Sequence, residues 1–216
     1  MKIEVMNVTK KFKDEIVINS TDVCFKAGKI YGLVGKNGCG KSVFLKMLCA
    51  LYYPTEGKFL IDGIDYIKKR EFPPNFGVLF EEPAFINELN GFDNLKLLSK
   101  IQNKIDDNQI LKILELVNLK NINDKKVGKY SLGMKQKLGI AQALMEDPEV
   151  ILLDEPFNSV DDETTKKLRE YLTLLKKQGK LIIIVTHIKE DLENIADEIL
   201  KFENNKLVKL TNVGEI

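Results

Sequence analysis

The sequence predicts an α/β domain built on a largely parallel sheet, and three observations carry that reading. Short, wholly apolar runs recur at Ile30–Val34, Val150–Leu153 and Leu181–Val185, as expected of strands buried on both faces. These runs alternate with segments of helical spacing, the order typical of a parallel sheet with crossover helices. The first run passes through a glycine-rich turn straight into a helix.

At 216 residues the chain is long enough for one sizeable domain, with a smaller lobe possible within it, and its 44% hydrophobic content supports a full core. Charged residues make up 30% of the chain but the formal net charge is only +1, which argues against bulk electrostatic binding to nucleic acid or anionic lipid. No apolar run approaches the roughly 18 residues needed to span a bilayer. The opening Met1–Val5 has no signal-peptide core, so Cys24, Cys39 and Cys49 are expected to be free cytosolic thiols.

Along the chain, Ile3–Val8, Ile16–Ile18 and Val23–Phe25 are short strand candidates that form an N-terminal β-rich part. The Ile30–Val34 strand leads to a helix over Val43–Leu51, followed by strands at Phe59–Ile61 and Gly77–Phe80. From Glu81 to about Tyr130 the spacing turns helical, with helices expected over Phe92–Gln102 and Gln109–Asn118. Ser131 occupies an N-cap position for a helix running to Asp147-Pro148. A helix over Asp162–Gln178 carries Leu168, Leu172 and Leu175 on one face and stops at Gly179. Ile199–Glu203 and Lys206–Leu210 read as a hairpin around Asn204-Asn205. The whole chain is taken as one domain, with a core of 1–80 and 150–216 and a helical part of about 81–148.

The turn after the first buried strand reads Gly35-Lys36-Asn37-Gly38-Cys39-Gly40-Lys41-Ser42. Its glycines let backbone N–H groups turn inward onto a phosphate, Lys41 can reach the outer phosphates, and the Ser42 hydroxyl can ligate Mg²⁺. The helix that follows presents its positive end to the same anion. A phosphate loop alone fits kinases, GTPases and many ATPases, so other residues must choose among them. Asp154 and Glu155 end a buried strand side by side, placing one carboxylate to hold Mg²⁺ through water and the other to polarise an attacking water. The single histidine, His187, follows the last buried strand at the edge where ligands of parallel sheets bind. Its imidazole could hold the γ-phosphate and the attacking water. Ser131 and Gly133 open a helix whose N-terminus is a second anion-binding end.

Taken in order, these motifs resemble the ATPase subunit of an ATP-binding cassette (ABC) transporter, over essentially the whole chain. The resemblance implies a P-loop NTPase core with an N-terminal antiparallel β subdomain and a helical insertion. It aligns Gly35–Ser42 with the Walker A loop and Ser131–Gln136 with the family signature. Val150–Asp154 aligns with Walker B and Glu155 with the catalytic glutamate. Asn158–Asp161 falls at the D-loop, His187 at the switch histidine, and Phe12 where the family stacks an aromatic ring on adenine. The residues implied for ATP are therefore Phe12, Gly35, Asn37, Gly38, Cys39, Gly40, Lys41, Ser42, Val43, Ser131, Gly133 and Asp161, with Ser42, Glu81 and Asp154 at Mg²⁺. The implied catalytic set is Glu155, His187 and Glu81.

Three positions depart from the family pattern. The signature reads Ser-Leu-Gly-Met-Lys, which keeps the hydroxyl of Ser131 and the open backbone of Gly133 and is similar to signatures of the drug- and antibiotic-export branch. Glu81 stands where most members carry a glutamine that touches Mg²⁺ and water, a replacement similar to that of lantibiotic and bacteriocin immunity ATPases. A carboxylate accepts hydrogen bonds there but cannot donate them. Ser159 replaces a frequent D-loop glycine, a change expected to be tolerated.

The resemblance thus implies an ATP-hydrolysing subunit, peripheral on the cytoplasmic face of the cell membrane. It would drive a separate integral membrane permease docked on the helical part, exporting a drug, antibiotic or antimicrobial peptide. A second ATPase subunit, in a homodimer closed by ATP, would complete each site, with no nucleic-acid partner. Two alternatives stay open: a soluble ABC ATPase with a non-transport role such as iron–sulfur assembly, and a phosphotransferase built on the same loop.

Overall fold

The computed structural model describes residues 1–80, 83–120 and 124–210. Strands β1 (Lys2–Phe12), β2 (Glu15–Lys26), β3 (Lys29–Val34), β4 (Glu56–Ile61) and β5 (Phe76–Leu79) precede the helical stretch. After it come β6 (Val150–Asp154), β7 (Leu181–Thr186), β8 (Glu198–Glu203) and β9 (Lys206–Lys209). The helices are α1 (Lys41–Leu48), α2 (Tyr66–Lys69), α3 (Gly91–Gln102), α4 (Asp107–Leu116), α5 (Leu132–Leu144) and α6 (Asp162–Lys177).

An antiparallel three-stranded sheet of order β2-β1-β4 lies beside a six-stranded sheet of order β5-β6-β7-β3-β8-β9. The larger sheet is parallel except for the β8–β9 hairpin. That hairpin turns on Asn204 and Asn205, both at positive φ, as a two-residue type I′ turn requires.

Alternation along the central strands explains their unbroken apolar sequences. Ile151, Leu153, Ile182 and Ile184 face the side covered by α5 and α6, whereas Val150, Leu152, Ile183 and Val185 face α1 and the antiparallel sheet. With both faces buried, no position can be polar until the strand reaches its carboxyl end.

Four local expectations are corrected. Ile16–Ile18 and Val23–Phe25 belong to one strand, β2, not two. The polar stretch between them stays in the ladder because side chains satisfy the bulged backbone: Asp22 Oδ1 accepts from Asn7 N at 2.9 Å and Thr9 Oγ1 from Ser20 N at 3.0 Å. The helix after the glycine loop ends at Leu48, before Ala50 adopts φ +58°, rather than at Leu51. The helix begun at Ser131 stops at Leu144, short of Asp147-Pro148. The single turn of α2 carried no apolar periodicity and was not anticipated; the Asp65 side chain caps it and Arg70 at φ +59° ends it.

Candidate active site

Sheet order assembles the site. β7 runs between β3 and β6, with Val34 paired to Thr186 and Asp154 paired to Val185. All three strands are parallel, so the glycine loop, the Asp154-Glu155 pair and His187 leave the sheet at one edge as neighbours.

The loop meets α1 through Gly40, which caps the helix at φ +104° and has no room for a Cβ beside Val17 Cγ1 at 2.8 Å. Lys41 is only 6% exposed, and its Nζ donates to the carbonyls of Gly35 at 2.7 Å and Lys36 at 3.1 Å. The ammonium is thus held across the loop by the loop's own backbone. A cavity of about 480 Å³ opens over it, lined by the sequence-predicted Phe12, Asn37, Gly38, Gly40, Lys41, Ser42, Val43, Asp154 and Glu155.

Gly35 and Cys39 do not line that cavity; a Cβ on Gly35 would meet Cys39 Sγ at 2.7 Å and Phe202 Cβ at 3.0 Å. Phe12, 41% exposed at the rim, stands edge-on to Tyr52 with centroids 6.0 Å apart and carries Lys10 Nζ 4.7 Å from its own centroid. The cavity also includes Glu15 and Val17, which the sequence reading missed. The pairing Phe12↔Glu15 brings them there, and only a β1–β2 hairpin at Lys13-Asp14 could have signalled it.

The Ser42 hydroxyl and the Asp154 carboxylate, the latter 1% exposed, border the same cavity. Two hard oxygen donors fit Mg²⁺, which keeps most of its shell as water and phosphate oxygen. Glu81, assigned to the metal and to catalysis by resemblance, lies outside the described residues.

Glu155 is the most constrained residue here. It is buried at φ +49°, a backbone conformation uncommon outside glycine. Its N–H continues the sheet to Val185 O at 2.8 Å, and its carbonyl accepts from Gln136 Nε2 at 2.9 Å. Oε1 stands 2.8 Å from His187 Nδ1, and Oε2 accepts from Thr186 Oγ1 at 3.1 Å. Two contacts thus hold its backbone and two its carboxylate, from α5, β7 and the residue after β7.

The remaining predicted residues lie elsewhere on the chain. Ser131 caps α5 as expected, its Oγ accepting from Met134 N at 3.2 Å. A Cβ on Gly133 would fall on the carbonyl oxygen of Ser159, which itself takes φ +60°. Asp161 caps α6, accepting from Thr164 N at 3.0 Å, and pairs with Lys137 of α5. The Lys137 ammonium and the Thr164 hydrogen bonds hold the Asp161 carboxyl far below the usual carboxylate range. None of the three borders the cavity over the glycine loop of their own chain. Sequence reasoning named Gln136 only as the end of the signature and missed Asp191: Gln136 reaches Glu155 from another helix, and Asp191 reaches Thr186 across a short irregular turn.

A family profile described as ABC transporter matches residues 18–158. An uncharacterized ABC transporter ATP-binding protein, YybJ of Bacillus subtilis (strain 168), is 42% identical over 95% of this chain and 94% of its own length. The bacitracin transport ATP-binding protein BcrA of Enterococcus faecalis is 37% identical, over 99% of this chain and 70% of its own. The lantibiotic transport ATP-binding protein SrtF of Streptococcus pyogenes is 33% identical, over 95% and 89%. Among solved structures, a dimeric bacterial ABC transporter cassette superposes with a TM-score of 0.85 at 25% identity, covering 95% of this chain and 96% of that one.

The chain belongs to the ABC transporter family, as one of its ATP-binding, ATP-hydrolysing cassettes. ATP and Mg²⁺ are the ligands of such a cassette. No helix among the described residues is long and apolar enough to cross a membrane.

Proposed function

We propose that this cassette powers a separate integral membrane permease that exports an antibiotic or antimicrobial peptide, with Glu155 as the general base of ATP hydrolysis. The observation that carries the catalytic part is the anchored Glu155 carboxylate at the mouth of the cavity that Lys41, Ser42 and Asp154 also line. The cargo class rests on the relatives named for bacitracin and lantibiotic transport.

In this reading the glycine-loop N–H groups and Lys41 bind the β- and γ-phosphates, Lys41 exchanging its carbonyl partners for phosphate oxygens. Phe12 stacks on the adenine. Ser42 and Asp154 would hold Mg²⁺, which would neutralise charge building on the transferred phosphoryl group. Glu155 takes a proton from the attacking water, and His187, fixed through Nδ1, keeps Nε2 for the γ-phosphate. The assignments of Gly35, Asn37, Gly38, Cys39, Gly40 and Val43 to the phosphates, and of Glu81 to Mg²⁺ and water, belong to the same proposal.

Ser131, Gly133 and Asp161 sit away from their own cavity, so a second cassette is needed to bring them to ATP. A homodimer closed by nucleotide satisfies that geometry, and a dimeric solved cassette supports it. We divide the chain into a core of 1–80 and 150–216 and a helical part of about 81–148. The permease docks where these meet: a groove of about 240 Å³ runs between β5 and α3, with Phe72 at 52% and Ile101 at 78% exposure on its border. Docking there holds the cassette on the cytoplasmic face of the membrane.

Pull-down of the tagged chain from detergent-solubilised membranes tests the transport part. Recovery of a multi-span protein that stimulates ATP turnover is the expected result. A cassette that recovers only soluble partners would end the transport reading. Free phosphate as the product, with no phosphorylated acceptor, separates hydrolysis from phosphotransfer.

A further inference from the structure

The Thr186 side chain stands between two carboxylates. Its Oγ1 lies 3.1 Å from Glu155 Oε2 and 3.0 Å from Asp191 Oδ2, and it accepts from Ile188 N at 3.0 Å. A hydroxyl carries one proton, so it donates to one of these carboxylates at a time. On the far side, Asp191 Oδ1 lies 3.4 Å from Arg169 Nη2, and the Arg169 guanidinium stacks 5.1 Å from the Phe157 ring centroid. Phe157 follows Glu155 by two residues. The chain of contacts therefore closes on itself: Glu155, Thr186, Asp191, Arg169, Phe157 and back along the backbone. Arg169 also donates to Glu190 O at 3.3 Å, fixing the short turn that carries Asp191.

We propose that Asp191 is a positioning residue for ATP hydrolysis, drawing the Thr186 hydroxyl away from Glu155 so that Oε2 is released to accept the proton of the attacking water. This rests on the reading of Glu155 as base. A hydroxyl donated to Glu155 occupies Oε2, the oxygen that must meet the attacking water. Turned to Asp191, the same hydroxyl shows Glu155 only lone pairs, and Oε2 is left open to the attacking water. No covalent bond changes in this rotation. Arg169 keeps Asp191 in reach of Thr186, and Thr186 is fully buried, so water does not compete for the hydroxyl.

The test is a double-variant cycle read by steady-state ATP turnover of the full-length chain. Asp191→Asn, whose amide can donate to Thr186 and force the hydroxyl onto Glu155, should lower kcat about tenfold with KM for ATP within about twofold. In a Thr186→Val background the same change should alter kcat by less than about twofold, because the connecting hydroxyl is gone. Thr186→Ser should restore the dependence on Asp191, and Thr186→Ala replaces the valine variant if that one does not fold.

An equal loss in both backgrounds, an unchanged kcat in Asp191→Asn, or a loss confined to KM would each overturn the proposal. Glu155→Gln is assayed alongside. Persistent turnover there removes Glu155 as base, whereas an inactive Glu155→Gln with an indifferent Asp191→Asn removes only the role of Asp191.

Discussion

Gly133, at the start of α5, lies so close to the carbonyl oxygen of Ser159 that no side-chain carbon fits between them. The sequence offered one reason for this glycine, an open backbone for phosphate. The structure adds another: the loop before α6 packs directly on the first turn of α5. Lys137 to Asp161 and Gln136 to the Glu155 carbonyl join the same two segments. The end of the helix proposed to meet a partner's nucleotide is thus tied to Glu155, the proposed base, of its own chain.

Gly133→Ala should therefore cost stability as well as turnover. Forcing a methyl against backbone costs about 1–3 kcal/mol. Differential scanning fluorimetry should show a Tm lower by several degrees, with ATP still bound by the Lys41 loop. An unshifted Tm would mean the loop carrying Ser159 moves aside freely.

Glu155→Gln should lower kcat by about 10²–10⁴, the range of a lost general base, while ATP binding stays intact. Light scattering with Mg-ATP should then report a persistent dimer. A variant that turns over at the wild-type rate would remove Glu155 from the role of base.

His187→Ala deletes the partner of Glu155 Oε1 and exposes that oxygen to solvent. Turnover should fall by about 10² or more with little change in ATP affinity. Loss of affinity alone would place His187 in binding rather than in catalysis.

Asp161 carries a pH-dependent contribution to stability whose sign follows from its environment. Lys137 and Thr164 hold its carboxyl below the ordinary value, so the folded state prefers it ionised. The stabilisation is fully present above the unfolded value near 3.8 and is lost as pH falls through the lowered folded value. Half the side chain is solvent-accessible, so the effect is modest. Asp161→Asn keeps the helix cap but loses the ion pair, and Asp161→Ala loses both, the cap alone being worth about 1 kcal/mol. Acid-unfolding curves should rank the three in that order.

Cys39 packs its sulfur against Gly35 inside the loop, and in the proposed reading the loop backbone rather than this side chain meets phosphate. Alkylation should block ATP binding, while Cys39→Ala should keep it. An alanine variant that binds no nucleotide would show that the sulfur contact holds the loop in shape.

The motifs that named the chemistry were legible because each is contiguous. Gly35–Ser42 needs only its own spacing to turn N–H groups inward, and Val150–Glu155 only an apolar strand ending in acids. Caps at Ser131 and Asp161 were equally local, since each reaches three residues ahead. The strand boundaries before Lys29 failed because side-chain hydrogen bonds from Asp22 and Thr9 carried β2 through a polar stretch.

By itself the sequence determined the fold class, the phosphate loop, the carboxylate pair and the family, all written in short-range patterns of residue type. Only the tertiary structure decided that Thr186 stands between Glu155 and Asp191, that Gly133 abuts Ser159, and that Glu15 and Val17 border the cavity. Most of these contacts join residues far apart in the chain. The Glu155–Thr186 contact depends on β7 being laid between β3 and β6, and the others on packing and strand register, which no local spacing encodes.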